Sequence, residues 1–332
     1  MAEDMRILEL MAVPQQDHDL DWLKESLQAA IKLEFATLPP YLCAEWSVRS
    51  GMNPVRGSIH VVLREEMLHF GLMCNMVVAI GGTPNINSGS ALPVYPGPLP
   101  GGVHPGLQVA LRGLSKEAAE VFMEIEFPEH GPVALDLGEE FPTIGAFYTA
   151  IEAAFVTLNP GLNEVNQLEG PLNLSKIRSL EDVRRAISLI KRQGEGSQAS
   201  PEDTGPGDLA HYYRFGEIYH GRKLRKDEAT GEWKFNGDPL EIGDVRPMAE
   251  VPPGGYKPED VSAQVGQLLK EFDQTFTLML SQLQTAWASG NTASLSAAIG
   301  TMIAMQTKGM ALMDIAIPGG MGNYGPCFRL SP

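Results

Sequence analysis

Cysteine, positive charge and long apolar runs are all scarce in this chain of 332 residues. Its three cysteines, Cys43, Cys74 and Cys327, lie far apart and form no CxxC or Cys/His spacing, which excludes a disulfide framework and fits a reducing compartment. Lys and Arg number 25 against 41 Asp and Glu, a net charge of −16. An anionic polymer would be repelled over most of such a surface, so nucleic acid is not an expected partner. The longest uncharged stretch, Ser281 to Thr307, is interrupted by Ser, Thr, Gln and Asn and by Gly290-Asn291, which makes it a poor membrane span. The opening residues, MAEDMRILEL, lack a basic segment followed by an apolar run, so a cytoplasmic chain with no membrane partner is expected. Dinucleotide fingerprints, flavin motifs, internal repeats and low-complexity blocks are absent as well.

What the chain does have is apolar residues, 43% of the total, recurring at helical spacing. The pattern predicts a helix from Asp19 to about Leu38, broken or kinked by Pro39-Pro40 with a second piece after it. Further helices are predicted at Ser58 to Ile80, Ser115 to Glu126, from after Pro142-Thr143 to about Leu158, Leu180 to Lys191, Asp208 to Leu224, Pro258 to Ser289 and Thr292 to Ile317. The Asn-Gly pair within Gly231 to Ile242 suggests a small hairpin. The segment ALPVYPGPLPGGVHPG has no periodicity and is expected to lie as an ordered loop over the body. The fold class is therefore all-α. Residues 1–225 are expected to form a metal-binding bundle, with 226–332 packed on it as a hairpin and two long helices.

Polar residues falling on the buried stripes carry the functional signal. The first stripe reads Leu20, Leu23, Leu27, Ala30, Glu34, Thr37, Tyr41, and the second Val62, Glu66, His69, Met73, Met76, Ile80. A buried carboxylate is costly unless it is neutralised, so something cationic should meet Glu34 and Glu66. Glu66 and His69 lie a turn apart on one face and can reach one ion. Together with Glu34 they make half of the carboxylate pattern that holds two iron or manganese ions in four-helix bundles. For the other half, Asp208/His211 and Glu217/His220 both have the required spacing, but nine residues at about 100° each put the two pairs on opposite helix faces. The stripe shared with Phe215 and Ile218 favours Asp208/His211. The remaining carboxylate is Glu152 or Glu126, with Glu152 favoured if its helix runs antiparallel to the next bundle member. Glu65 reads as a solvated or salt-bridged residue, and Met302, Met305, Met310 and Met313 read as adaptable core packing.

The motifs LEFATLPPYL, REEMLHFGLMCNMVVAIGGTP, FMEIEFPE, TIGAFYTAI and DLAHYYRFGEI resemble the ferritin-like family whose relatives include the iminophenyl-pyruvate dimer synthases. The resemblance covers about residues 10 to 225 and implies a ferritin-like four-helix bundle, here with long loop insertions and additional C-terminal helices. It also implies metal-site roles for Glu34, Glu66, His69, Asp208 and His211. Two positions depart from the family: Ala146 stands where Glu is usual, and Asp208 is more often Glu. Either Glu152 makes good the missing carboxylate or one metal position is weak or empty. The expected function is a non-haem di-metal oxidase or oxygenase for a small organic molecule, with iron, or manganese, as cofactor. The loop 91–106 and the helices after 258 are expected to close its pocket. A small-molecule substrate, an electron-donor protein and a second copy of the chain are the partners this admits. The alternative is a ferritin-like metal-binding or structural protein with an incomplete, inactive site.

Overall fold

The computed structural model describes residues 6–49, 51–102, 104, 106–128, 144–196, 200–202, 208–320 and 322–331. Among them the order is α1 (Arg6–Ala12), α2 (Leu20–Ser47), α3 (Pro54–Ala79), α4 (Lys116–Ile125), α5 (Ile144–Leu158), α6 (Leu180–Glu195), α7 (His211–His220), β1 (Arg225–Lys226), β2 (Trp233–Lys234), α8 (Ala263–Ser289) and α9 (Thr292–Met313). Helices α2, α3, α6 and α5 touch in turn around a closed ring. The pair α4 and α7 packs together and reaches the ring through α3 and α6, while the α8–α9 hairpin lies against α2 and α3. Side chains from α8, α9 and the C-terminal tail, such as Phe272, Trp287, Met305 and Phe328, bury into the same core cluster as Leu27 and Met73.

Local chemistry sets most of the helix starts. Asp19, Asn53, Ser115, Ser179, Ser262 and Asn291 each accept a hydrogen bond from a backbone N–H of the first turn. Pro54 adds a preset φ at the first position of α3, which therefore begins four residues before the predicted Ser58.

Pro39-Pro40 does not end the first long helix. Helix α2 runs through both prolines for 28 residues. Pro40 cannot donate to the carbonyl of Ala36, and the Tyr95 hydroxyl donates to that carbonyl instead at 2.6 Å. The donor that rescues the helix comes from the Pro/Gly loop, 59 positions from the carbonyl in sequence, where periodicity cannot show it. That loop is also pinned to α1: Gly101 has φ +85°, and a Cβ there would fall 2.3 Å from Ile7, so only glycine fits. Replacing Tyr95 with Phe should leave a buried carbonyl unmet and lower stability by about 1–2 kcal/mol. Thermal melts would read this as a drop of several degrees, and an unchanged melting temperature would mean that α2 does not depend on this donor.

The hairpin sits slightly upstream of its predicted place. β1 pairs antiparallel with β2, and the turn is 227–232, where Asp227 accepts from the amides of Ala229 and Thr230 and Gly231 takes φ +74°. No helix of the described residues is long and apolar enough to cross a membrane.

Candidate metal centre

Three carboxylates and two imidazoles converge inside the bundle. Glu34 comes from α2, Glu66 and His69 from α3, Glu126 from the residue that ends α4, and His211 from the first position of α7. Two groups of ligand atoms form, Glu34 with Glu66 and His69, and Glu66 with Glu126 and His211, each within 4.8 Å. Glu66 belongs to both. His69 Nδ1 lies 3.5 Å from Glu34 Oε2 and 3.4 Å from Glu66 Oε1. His211 Nδ1 lies 2.9 Å from the same Glu66 oxygen and 3.5 Å from Glu126 Oε2. The two rings stack with centroids 5.7 Å apart.

Every group in this cluster is held from its outer side. Tyr148 donates to Glu34 Oε1 in a short hydrogen bond, Thr37 donates to Glu66 Oε2 at 2.7 Å, and Tyr41 donates to Glu126 Oε1 at 2.6 Å. Each carboxylate thus spends one oxygen on a hydroxyl and turns the other inward. Burial, then the carboxylate each phenol bonds, push the Tyr41 and Tyr148 pKa values well up, so both stay protonated donors. On the imidazoles the Nε2 atoms face outward, His69 to Gln193 Oε1 at 2.8 Å and His211 to Glu65 Oε2 at 3.0 Å. A carboxylate can only accept, so His211 carries its proton on Nε2 and, when neutral, aims a bare Nδ1 lone pair at carboxylate oxygens.

That arrangement needs a cation. His211 is fully buried, and its Nδ1 has no hydrogen-bond partner despite the close carboxylates. Without a metal the cation is a proton. Burial alone would lower both histidines, but Glu34 and Glu66 push His69 up to about 10, and Glu126, Glu65 and Glu66 hold His211 well above its ordinary value. Burial and the charge of Glu66 push Glu34 up to about 7, and Glu126 is raised for the same two reasons. Burial would raise Glu66 too, but the close approach of the protonated His211 and His69 to its inner oxygen overcomes this and leaves it below the usual carboxylate range. An acid-rich donor set with two outward-anchored imidazoles fits iron or manganese better than zinc or copper.

Of the residues singled out in sequence, Glu34, Glu66, His69 and His211 meet here, and Glu152 and Asp208 do not. The inward stripe of α5 runs Phe147, Tyr148, Ile151, Ala154 and Phe155, which leaves Glu152 at its edge, 3.8 Å from Arg184. Glu126 takes the place expected of Glu152. Helix α7 begins at His211, so Asp208 precedes it, does not share a helical face with His211, and pairs with Arg214 at 2.7 Å. In the other pair, Glu217 accepts from Leu224 N–H and Lys223 and so holds the end of its own helix, while His220 stacks on Phe235. Glu65, read as solvated or salt-bridged, is 20% exposed and pairs with an imidazole, the buried His211. The outer partners Gln193, Tyr148 and Tyr41 give no sequence signal beyond lying one or more turns along inward stripes.

A cleft of about 40 Å³ opens beside Glu34, Glu66, His69 and Glu126, walled by Phe127, Ile144, Ile190, Lys191 and Gly194. That is room for ions or a few waters. Among the described residues, neither the loop 91–106 nor α8 and α9 lines it, contrary to expectation; the loop comes no nearer than His104, which packs edge-on against the wall residue Phe127, and α8 and α9 lie against α2 and α3.

The family model described as Ferritin-like matches residues 27–220, a span that contains all five converging residues. Dichlorochromopyrrolate synthase of Lentzea aerocolonigenes is 24% identical over 322 aligned residues, covering 83% of this chain and 30% of that enzyme. The chain thus spans less than a third of the length of that relative. A crystal structure of a ferritin-like protein from Caulobacter vibrioides superimposes with a TM-score of 0.66 at 21% identity, covering 95% of this chain and 99% of that one.

Proposed function

The chain belongs to the ferritin-like family, and from that premise we propose that it is a metal-dependent oxidase or oxygenase of a small organic metabolite, working in biosynthesis. Glu34, Glu66, His69, Glu126 and His211 would hold two iron ions, or manganese in their place. Such a centre supplies redox chemistry with dioxygen when it has open coordination positions. The chain's own part is to hold it. Glu66 is shared between the two positions, the three hydroxyls fix the carboxylates, and Gln193 and Glu65 fix the imidazoles. Phe127, Ile144 and Ile190 keep the mouth of the cleft apolar, with Lys191 beside them. A substrate would approach from that side, and its own electrons or those of a donor protein would complete turnover. The relative's name, a synthase, supports a biosynthetic setting.

The observation that carries this reading is the unpartnered Nδ1 of fully buried His211 between two carboxylates. Asp208 favours a second reading, an inactive ferritin-like scaffold, because it leaves the second carboxylate-x-x-His pair without its carboxylate. Metal analysis of protein purified without chelator separates the two. About two iron per chain is expected on the pattern of such bundles, together with oxygen uptake on adding reductant. A chain that neither retains nor takes up iron or manganese would be the scaffold.

A further inference from the structure

The two inward imidazoles present the same atom to the cluster but are backed by chemically different groups. Behind His69 stands Gln193 of α6, a neutral amide whose oxygen accepts from Nε2 at 2.8 Å. Behind His211 stands Glu65 of α3, a carboxylate 3.0 Å from Nε2. The outer partners of the three carboxylates do not repeat this difference, since Tyr148, Thr37 and Tyr41 are all neutral hydroxyls. Glu66 is common to both halves, and Glu34 and Glu126 each add one carboxylate to one half. The two halves therefore match in the types of their inner ligands, and the difference in direct contact with a ring is one negative charge behind His211.

We propose that Glu65 is a positioning residue that makes the half formed by Glu66, Glu126 and His211 the tighter position for a divalent cation, so that it fills before the half formed by Glu34, Glu66 and His69. The inference rests on the reading of the cluster as a two-cation site. Its physical basis is that an imidazole donating to a carboxylate gains electron density at its other nitrogen and becomes a stronger metal ligand. It is also fixed in the one tautomer that can coordinate. Glu65 is only 20% exposed, so water screens its charge incompletely. Removal of outer partners of this kind weakens metal binding by about 10–100-fold, and exchanging a carboxylate for an amide should lie near the lower end.

Manganese(II) alone is the probe. The chelator-stripped full chain is titrated by calorimetry, with the electron paramagnetic resonance of free manganese as a second record. The wild type is expected to bind in two resolved steps separated by about tenfold or more. Anomalous diffraction from crystals given one equivalent should place the ion against Glu126 and His211. Glu65→Gln keeps the size and an acceptor oxygen but removes the charge, so it should weaken the first step about tenfold and leave the second where it was. Gln193→Glu, with Glu65 intact, should tighten the second step, a gain that mere loss of structure cannot produce. Two equal steps in the wild type, or an unchanged first step in Glu65→Gln, would overturn the asymmetry and leave the two-cation reading standing. No manganese binding by the wild type would instead overturn the reading on which it rests.

Discussion

Replacing Glu66 with Ala will empty both halves of the cluster at once, and it is the single substitution with the largest expected effect on metal content. Both groups of ligand atoms contain this carboxylate, and its inner oxygen is the one that both His69 and His211 approach. Losing it leaves one carboxylate and one imidazole on each side, too few anionic donors to strip the hydration from a divalent ion. Metal measured after purification should fall from about two per chain to near zero. Glu34→Ala and Glu126→Ala should each lose about one. Helical content should hold in all three, because α3 is started by Asn53 and Pro54 and packed by Val62, Leu63, Met73 and Met76 independently of the site. The same comparison settles residue assignments on α7 and α5. His211→Ala should weaken metal binding at least tenfold, whereas His220→Ala, Asp208→Asn and Glu152→Gln should retain wild-type metal. Full metal in the Glu66 variant would remove the central claim about this cluster.

The parts of the site that were legible in the sequence are those on long regular helices. Glu34 and Glu66/His69 interrupt apolar seams with turns on either side, so spacing alone puts them inside. Legibility fails at helix ends. Glu126 follows the last residue of α4, where a 3-4 stripe no longer says which way a side chain turns, and His211 opens α7, so the i, i+3 relation to Asp208 has no helix to act in. Glu152 was a reasonable candidate on an assumed antiparallel placement, but the carboxylate arrives instead from α4, which pairs with α7 outside the four-helix ring. Groups that act across the fold were hidden for a related reason. Tyr95 completes α2, and Gln193 and Glu65 anchor imidazoles on other helices, and none of these pairings has a period.

Stripping the metal should make stability depend on pH in a direction set by the same groups. In the metal-free chain the cations between the carboxylates are protons on His69 and His211. A histidine raised in the fold contributes stability that is fully present below its ordinary value of 6.5 and is lost as pH rises through the folded value, which for His69 is about 10. Glu34, raised from 4.5 to about 7, favours the fold only while protonated, so its contribution is complete below 4.5 and lost as pH rises through 7. Glu66, held low, has the opposite sign, but its contribution is complete above 4.5 and changes only in more acid solution. Between pH 5 and 9 the changes that remain in the cluster all run one way; His104 and His220, which burial lowers, oppose them but are only partly buried, so the metal-free chain should become less stable as pH rises. A bound metal would reverse this slope, because it would take the Nδ1 lone pairs and carboxylate oxygens that protons otherwise occupy and would bind better as those protons leave. With manganese at about a thousand times its dissociation constant, linkage gives about 4 kcal/mol, which for a domain of this size is a shift on the order of 10 °C. Melting curves with manganese and with chelator should therefore diverge from pH 5.5 to 8.5. Curves that stay parallel across that range, with metal uptake verified, would mean that protons and metal do not compete for these atoms and that the cation lies elsewhere.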